Sequence, residues 1–271
     1  MSLSCSCDIC RKWYKKLGFP IEYDSEFEKA LCEYRISDEI TIENYNLNES
    51  DGRKNLLSFL FMCESVERKY REMGIDEKIL VDTLSDIVIW TKIWTEVKGE
   101  LHLGELEWLK SHMKAELFRI GSLEYRAAKS EFPCLELGLE KGDNIVEIHI
   151  PNGADISESG VSESLSLAKE FFGKYFSEYC FSHFTFHSWM MDKELSRLLK
   201  PESNILKFQR LFVRVESETT EDYAGLRYAF KWNTTKMNLS SQKSRSSFAE
   251  NMKNHVLSGG KLYLCAGVMM K

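Results

Sequence analysis

The chain has 271 residues, a formal net charge of −6, 43% hydrophobic and 29% charged residues. This composition excludes a disordered chain, and only 4 prolines and 15 glycines exclude collagen-like and proline-rich architectures. The acidic balance argues against a nucleic-acid binder, and the longest apolar run, Tyr263 to Met270, falls far short of the roughly 20 residues of a membrane helix.

The first twenty residues hold Asp8, Arg11, Lys12, Lys15 and Lys16 and no apolar stretch, so no secretory signal is expected. Eight cysteines are too dilute for a disulfide scaffold, and reduced thiols in a cytoplasm follow. Cys5-x-Cys7-x-x-Cys10 packs three thiols into six residues. Cys32 is the nearest fourth ligand and no matching knuckle follows, so no metal site is expected.

A helix is predicted near 25–34, then a polar loop over Asn44–Gly52. Leu56, Leu60, Phe61, Cys63 and Tyr70 mark a second helix, ended by Gly74. Ile79, Leu80, Thr83, Leu84, Ile87, Trp90, Thr91 and Trp94 recur at helical spacing behind Asp76 as N-cap. A helix near 104–116 turns Leu106, Leu109 and Met113 inward.

The hydrophobic period then changes. Leu117–Lys129, Cys134–Leu139 and Asn144–Ile150 read as three strands of an antiparallel meander. A helix over 158–176 follows, capped by Ser157, then a Phe-rich strand from Cys180 to Trp189. A short helix near 192–199 precedes strands near 205–216 and 224–232. The chain closes with a helix over 248–257, with Ser247 and Glu250 as a capping box, and a strand over 261–269. The fold class expected is α+β: a helical N-terminal domain, 1–114, then a mixed-sheet domain with flanking helices, 115–271.

This order of elements is that of the GNAT acyltransferase fold, whose chemistry lies where the central strands splay apart. Seven segments add to it: Gly104–Leu109, Leu117–Leu123, Ile148–Gly153, Ser164–Phe172, Ser188–Asp192, Ser203–Gln209 and His255–Lys261. Together they resemble a bacterial family of acyltransferase domain-containing proteins, a helical N-terminal domain joined to a GNAT-like C-terminal domain. The resemblance implies an N-acyltransferase moving an acyl group from a thioester, acyl-CoA, to an amine on a small molecule. The alternative is a binding protein that holds a small apolar ligand on that scaffold without turning it over.

In GNAT enzymes a Gly-rich loop and a helix N-terminus hold the pyrophosphate of coenzyme A. The corresponding loop here is Pro151-Asn152-Gly153-Ala154-Asp155-Ile156-Ser157, which makes Asn152, Gly153 and Ala154 the cofactor-binding candidates. It has one glycine, and Asp155 and Glu158 complement the helix N-terminus themselves. The helix near 192–199 has no tyrosine, the usual general acid there. Acyl transfer to an amine needs a base, and His149 at the end of its strand is the candidate, sharing a face with Glu147; a structural histidine capping the Pro151 turn is the other reading.

His187 and Ser188 are adjacent on a strand, face opposite ways and form no dyad. His183 and His187 stand roughly 13 Å apart on a strand, so they imply no metal. Ser188, Trp189 and Asp192 at the strand end are pocket candidates, as are Ser203 and Asn204, for which turn chemistry is the alternative. The principal pocket is expected between the strand ends at 149 and 189.

Overall fold

The computed structural model describes residues 3–48 and 50–271, which divide into two compact units, one ending at Ile120 and one running over Gly121–Lys271. The first unit is helical up to its last element: α1 (Leu3–Leu17), α2 (Asp24–Glu33), α3 (Gly52–Glu72), α4 (Glu77–Leu84), α5 (Asp86–Lys98), α6 (Leu106–Met113) and β1 (Leu117–Ile120). Helix α1 has no counterpart among the expected elements. Its stripe is Cys10, Trp13, Tyr14 and Leu17, at i, i+3, i+4 and i+7, and all four are buried. Cys10 donates its thiol proton to the Leu57 carbonyl, which ties α1 to α3. Cys5 lies outside the described side chains; Cys7, Cys10, Cys32, Cys63, Cys134, Cys180 and Cys265 are free thiols.

The helix expected over 79–94 is two helices. Ser85 ends α4, its amide reaching back to Val81 and Asp82 and its hydroxyl donating to the Asp82 carbonyl. Asp76 occupies the cap position of α4 without a side-chain cap bond. Asp86 then opens α5 and is almost fully buried, accepting from Trp108 Nε1 at 3.0 Å, with His112 Nε2 at 3.3 Å. Burial pushes its carboxyl up, and His112 and Trp108 more than reverse that, holding it below the usual carboxylate range. This pair joins α5 to α6. Thr83 accepts from the Arg119 amide at 2.9 Å, which fixes β1 on α4.

The second unit contains β2 (Leu123–Lys129), β3 (Asn144–His149), α7 (Glu158–Tyr175), β4 (His183–Ser188), α8 (Leu195–Leu198), α9 (Asn204–Gln209), β5 (Val213–Glu221), α10 (Gly225–Ala229), α11 (Ser247–Leu257) and β6 (Tyr263–Met270). Its strands run in the order β2-β3-β4-β6-β5. β3 and β4 are parallel and the other neighbours antiparallel, so the sheet is mixed. Helix α7 covers one face with Val161, Ser164, Ala168, Phe171 and Phe172. Ser164 accepts from the Leu123 amide and shares a hydrogen bond with the Tyr125 hydroxyl, which sets the helix against β2. On the other face Ile145, Val215, Ala266 and Val268 pack with Cys134 and Leu139.

Five expectations for this part of the chain are corrected. Leu117–Lys129 is two strands, because Gly121 at φ 66° and Ser122 turn the chain. Cys134–Leu139 is no strand: Leu135–Leu137 form a single 3-10 turn, closed by Gly138 at φ 69°, and only Cys134 and Leu139 bridge. The strand predicted near 224–232 is the short helix α10 and following turns, and the stretch opening at 205 begins with α9. At α11 the cap is Ser246, accepting from the Ala249 amide, so the capping box with Ser247 is not formed. Among the described residues, no helix is long and apolar enough to cross a membrane.

Candidate active site

The site begins where the sheet opens. β3 and β4 are paired through Ile145–His183, Val146–Phe184 and Glu147–Thr185, and their ladder stops there. Beyond that point β3 stays with β2 as far as His149 opposite Glu124, while β4 stays with β6 as far as Ser188 opposite Cys265. The two central parallel strands therefore part company at Glu147 and Thr185.

Alternation along the strands sets what lies on each face. Glu147 and His149 share one face with Arg126 and Glu124, their cross-strand partners on β2. The register with β4 continues that face through Thr185 and His187, and it sends Ser188 to the other side. His149, Glu147 and Arg126 form a connected line. Arg126 donates from Nε to Glu147 Oε2 at 2.6 Å, with Nη2 also at 2.6 Å. His149 Nε2 stands 3.7 Å from the same oxygen, an ion-pair separation too long for a hydrogen bond. Partial burial pushes the Glu147 carboxyl up, but His149 and Arg126 outweigh it and hold the group below the usual carboxylate range. At neutral pH Glu147 is a carboxylate that two cationic or basic groups compete for.

Arg126 and Glu124 were not among the residues expected at the site. Their signal was present in the alternation Glu124-Tyr125-Arg126 on a strand, but only the register shows which strand residues they oppose.

The remaining candidates are spread over neighbouring elements. After β3, Pro151 to Ala154 make a turn in which the Ala154 amide bonds the Pro151 carbonyl at 3.1 Å and Gly153 takes φ 81°. Asn152 and Gly153 are exposed. The start of α7 is already furnished with acceptors: Ser157 Oγ accepts from the Gly160 amide, and Asp155 Oδ1 accepts from the Ser157 amide. Glu158 pairs with Lys207 at 2.6 Å.

Ser188 Oγ accepts from the Met190 amide and starts the 3-10 turn Trp189–Met191. Trp189 is half-buried, its ring 6.2 Å from Phe248 and 5.5 Å from Tyr228, and a Cβ on Gly225 would come within 3.1 Å of it. Asp192 is buried and accepts from the amides of Tyr263 (2.9 Å) and Glu194 (3.0 Å), which holds the start of β6. Burial pushes its carboxyl up despite these two bonds. Ser203 is the N-cap of α9 and accepts from Leu206, with Asn204 exposed beside it. His183 is buried, its ring held between Ser182 Oγ (2.9 Å) and the Leu137 carbonyl (3.0 Å).

Two of the cavities lie beside other elements. One of about 580 Å³ lies in the first unit between the loop 35–51 and the start of α3. The other, about 500 Å³, is lined by Met191, Gln209, Phe212 and Arg214 beside β5.

Comparison with known proteins gives this geometry a context. No curated protein matches the chain. A solved acyltransferase in complex with decanoyl-CoA superposes with a TM-score of 0.69 at 25% identity, covering 79% of this chain and 64% of that one. The chain thus spans less than two thirds of that relative's length. An acyltransferase in complex with CoA and 10C-teicoplanin superposes at 0.80 with 21% identity, and one with decanoyl-CoA and teicoplanin at 0.77 with 20%, each covering 96% of this chain and 87% of the other. At those identities the likeness is one of fold. Residues 20–115 match the N-acyltransferase N-terminal domain and residues 117–269 the GNAT-like C-terminal domain. The chain belongs to this two-domain N-acyltransferase family.

Proposed function

We propose that the protein transfers an acyl group from acyl-CoA to an amine on a small molecule, with the thioester seated in the opening between β3 and β4. The observation that carries this reading is the β3–β4 ladder ending at Glu147 and Thr185 while both strands continue on their outer neighbours. Such an opening lets an extended ligand lie along strand backbone, as a peptide does when it adds to a sheet. Solved structures of the same fold carry decanoyl-CoA or CoA.

In this reading His149 takes the proton from the attacking amine. The amine nitrogen bonds to the thioester carbonyl carbon, and collapse of the tetrahedral adduct breaks the carbon–sulfur bond, the leaving thiolate taking the proton back from the His149 imidazolium to depart as CoA thiol. Glu147 steadies the imidazolium as it forms, and Arg126 keeps Glu147 ionised and in place. Asn152 and Gly153 offer amides toward the phosphates of CoA, while Ala154 shapes their turn. Asp155 and Glu158 work against an anion at α7, so that helix start contributes less here than a Gly-rich loop would. Trp189, held by Ser188, Asp192 and Gly225, flanks the far strand end and contacts the acyl chain or acceptor. Ser203 and Asn204 serve by placing α9. The free described thiols suit a bacterial cytoplasm.

The test is release of CoA thiol from decanoyl-CoA in the presence of a panel of amines, alongside the melting temperature with decanoyl-CoA and with free CoA. Saturable stabilisation together with amine-dependent release is expected. Stabilisation without release from any amine would favour a ligand-holding role, and neither effect would reject the reading.

A further inference from the structure

A small hollow in the first unit gathers thiols. It measures about 170 Å³, and its lining includes Cys7 and Cys10 from α1, Cys32 from α2 and Leu57 from α3. Three of the chain's eight cysteines thus meet at one place, and acyl transfer uses none of them. Their environments differ. Cys7 is half-buried and Cys32 exposed, whereas Cys10 is 1% exposed. Cys10 donates its thiol proton to the Leu57 carbonyl, and burial, reinforced by the nearby Cys7, pushes this thiol up to about 12. Cys10 therefore stays protonated at neutral pH, and Cys7, which solvent reaches, is the thiol of this pair that an oxidant meets first.

The two are spaced for bonding to each other. Cys7 and Cys10 lie three residues apart on α1, where a rise of about 1.5 Å per residue and a net rotation of about 60° put their Cα atoms roughly 5 Å apart. That falls within the roughly 4.4–6.8 Å that a disulfide spans. Cys32 reaches the hollow from a separate helix, so no fixed spacing sets its distance from Cys7.

We infer that Cys7 and Cys10 form a reversible thiol-oxidation site, closing to a disulfide with a peroxide and reopening with a dithiol reductant. The Cys7 thiolate attacks one peroxide oxygen, the O–O bond breaks, and Cys7 sulfenic acid and hydroxide result. The Cys10 sulfur then bonds to the Cys7 sulfur as the S–O bond breaks, and the hydroxyl leaves with the Cys10 proton as water. The two thiols lose two electrons and the peroxide gains them. Closing the disulfide takes the S–H donor from the Leu57 carbonyl and so removes one tie between α1 and α3. The site stands on the first unit alone and does not depend on the acyl-transfer reading.

Mass spectrometry of the full chain after hydrogen peroxide tests it, with remaining thiols alkylated before digestion by trypsin. Cys5, Cys7 and Cys10 fall in peptide 1–11 and Cys32 in peptide 30–35. The inference expects peptide 1–11 to carry an internal disulfide and one alkyl group, and to carry three alkyl groups again after dithiothreitol. Cys5→Ser should keep that disulfide and Cys7→Ser should abolish it. Cys10→Ser, whose hydroxyl can still donate to Leu57, should accumulate Cys7 sulfenic acid, trapped by dimedone at least about tenfold above the parent. Three alkyl groups on peptide 1–11 after peroxide overturn the inference. So does a disulfide that survives Cys7→Ser or is lost in Cys5→Ser, and so does a bond joining peptide 1–11 to peptide 30–35, which would assign the partner of Cys7 to Cys32.

Discussion

If His149 is the base, its two charged neighbours should move the acid side of the pH–rate profile in opposite directions. Glu147 Oε2 lies 3.7 Å from His149 Nε2, and the two side chains are only 26% and 27% exposed. With an effective dielectric constant of about 40–80, their attraction amounts to about 1–2 kcal/mol. One pH unit corresponds to about 1.4 kcal/mol, so removing the anion in Glu147→Gln should lower the acid limb of kcat/KM by about one unit. The sign follows from the protonated imidazole losing its stabilising partner and releasing its proton more readily. Arg126→Ala removes a cation diagonal to His149 on the ladder, roughly 7–8 Å away by strand geometry, and should raise the same limb by a smaller amount. The Arg126–Glu147 pair is partly exposed, 36% and 26%, so either change should cost only about 0.5–1 kcal/mol of stability and leave folded protein to assay. The measurement is kcat/KM for CoA release across pH 5–9 with decanoyl-CoA and one accepted amine. Limbs that move together, or that do not move, would refute the assignment of His149 as the titrating group.

Further outcomes follow from the same geometry. His149→Ala should lower kcat by roughly 10²–10⁴-fold with little change in KM, and full specific activity in the folded variant would remove the residue from the mechanism. Asp155→Asn takes a negative charge from the start of α7 and should tighten decanoyl-CoA binding a few-fold, as read by calorimetry; unchanged affinity would place the phosphates away from that helix. Asp192→Ala leaves the Tyr263 and Glu194 amides without their acceptor and should cost about 1–3 kcal/mol in denaturant unfolding, with partial recovery in Asp192→Asn. Glu147 is held below its usual range in the fold, so its contribution to stability is present above the unfolded-chain value and is lost as pH falls through the folded one. The stability gap between the parent and Glu147→Gln should be constant near neutrality and close on acidification.

Much of this fold is legible in the sequence where a local signal and burial agree. Ser157 followed by Val161, Leu165, Ala168 and Phe172 predicts α7, and the structure caps that helix at Ser157 and buries Val161, Ala168 and Phe172. Elsewhere a local pattern meets a stronger constraint. Cys134–Leu139 alternates like a strand, but Gly138 in the left-handed region turns the segment back, and it packs over the sheet instead of joining it. Residues 224–232 carry Tyr228, Phe230 and Trp232, which suit a strand. Gly225 is pressed against Trp189, and the aromatics find partners from a short helix, so tertiary packing overrides propensity. The break at Ser85 is similar, since the apolar period runs through it while the serine closes the helix with its own hydrogen bonds.

The candidate site was legible only along one strand, and the reason is physical. Alternation can place Glu147 and His149 on one face, but it holds no information on where a neighbouring strand stops pairing. That depends on β4 remaining with β6 after Thr185 while β3 remains with β2, and on the register that sets Arg126 against Glu147. The same face carries the apolar cluster of Ile145, Val215, Ala266 and Val268, so a carboxylate two residues further along β3 is a local violation of the core pattern. Arg126 offsets the cost of half-burying that carboxylate, and it does so with both nitrogens on the one oxygen that also faces His149. Stability alone would be served as well by an apolar residue at 147, since replacing a paired charge by a packed side chain is often neutral or favourable. Under the proposed function, the charged line that breaks the sheet's pattern where its central strands separate would serve proton transfer, and local rules are expected to fail at such sites.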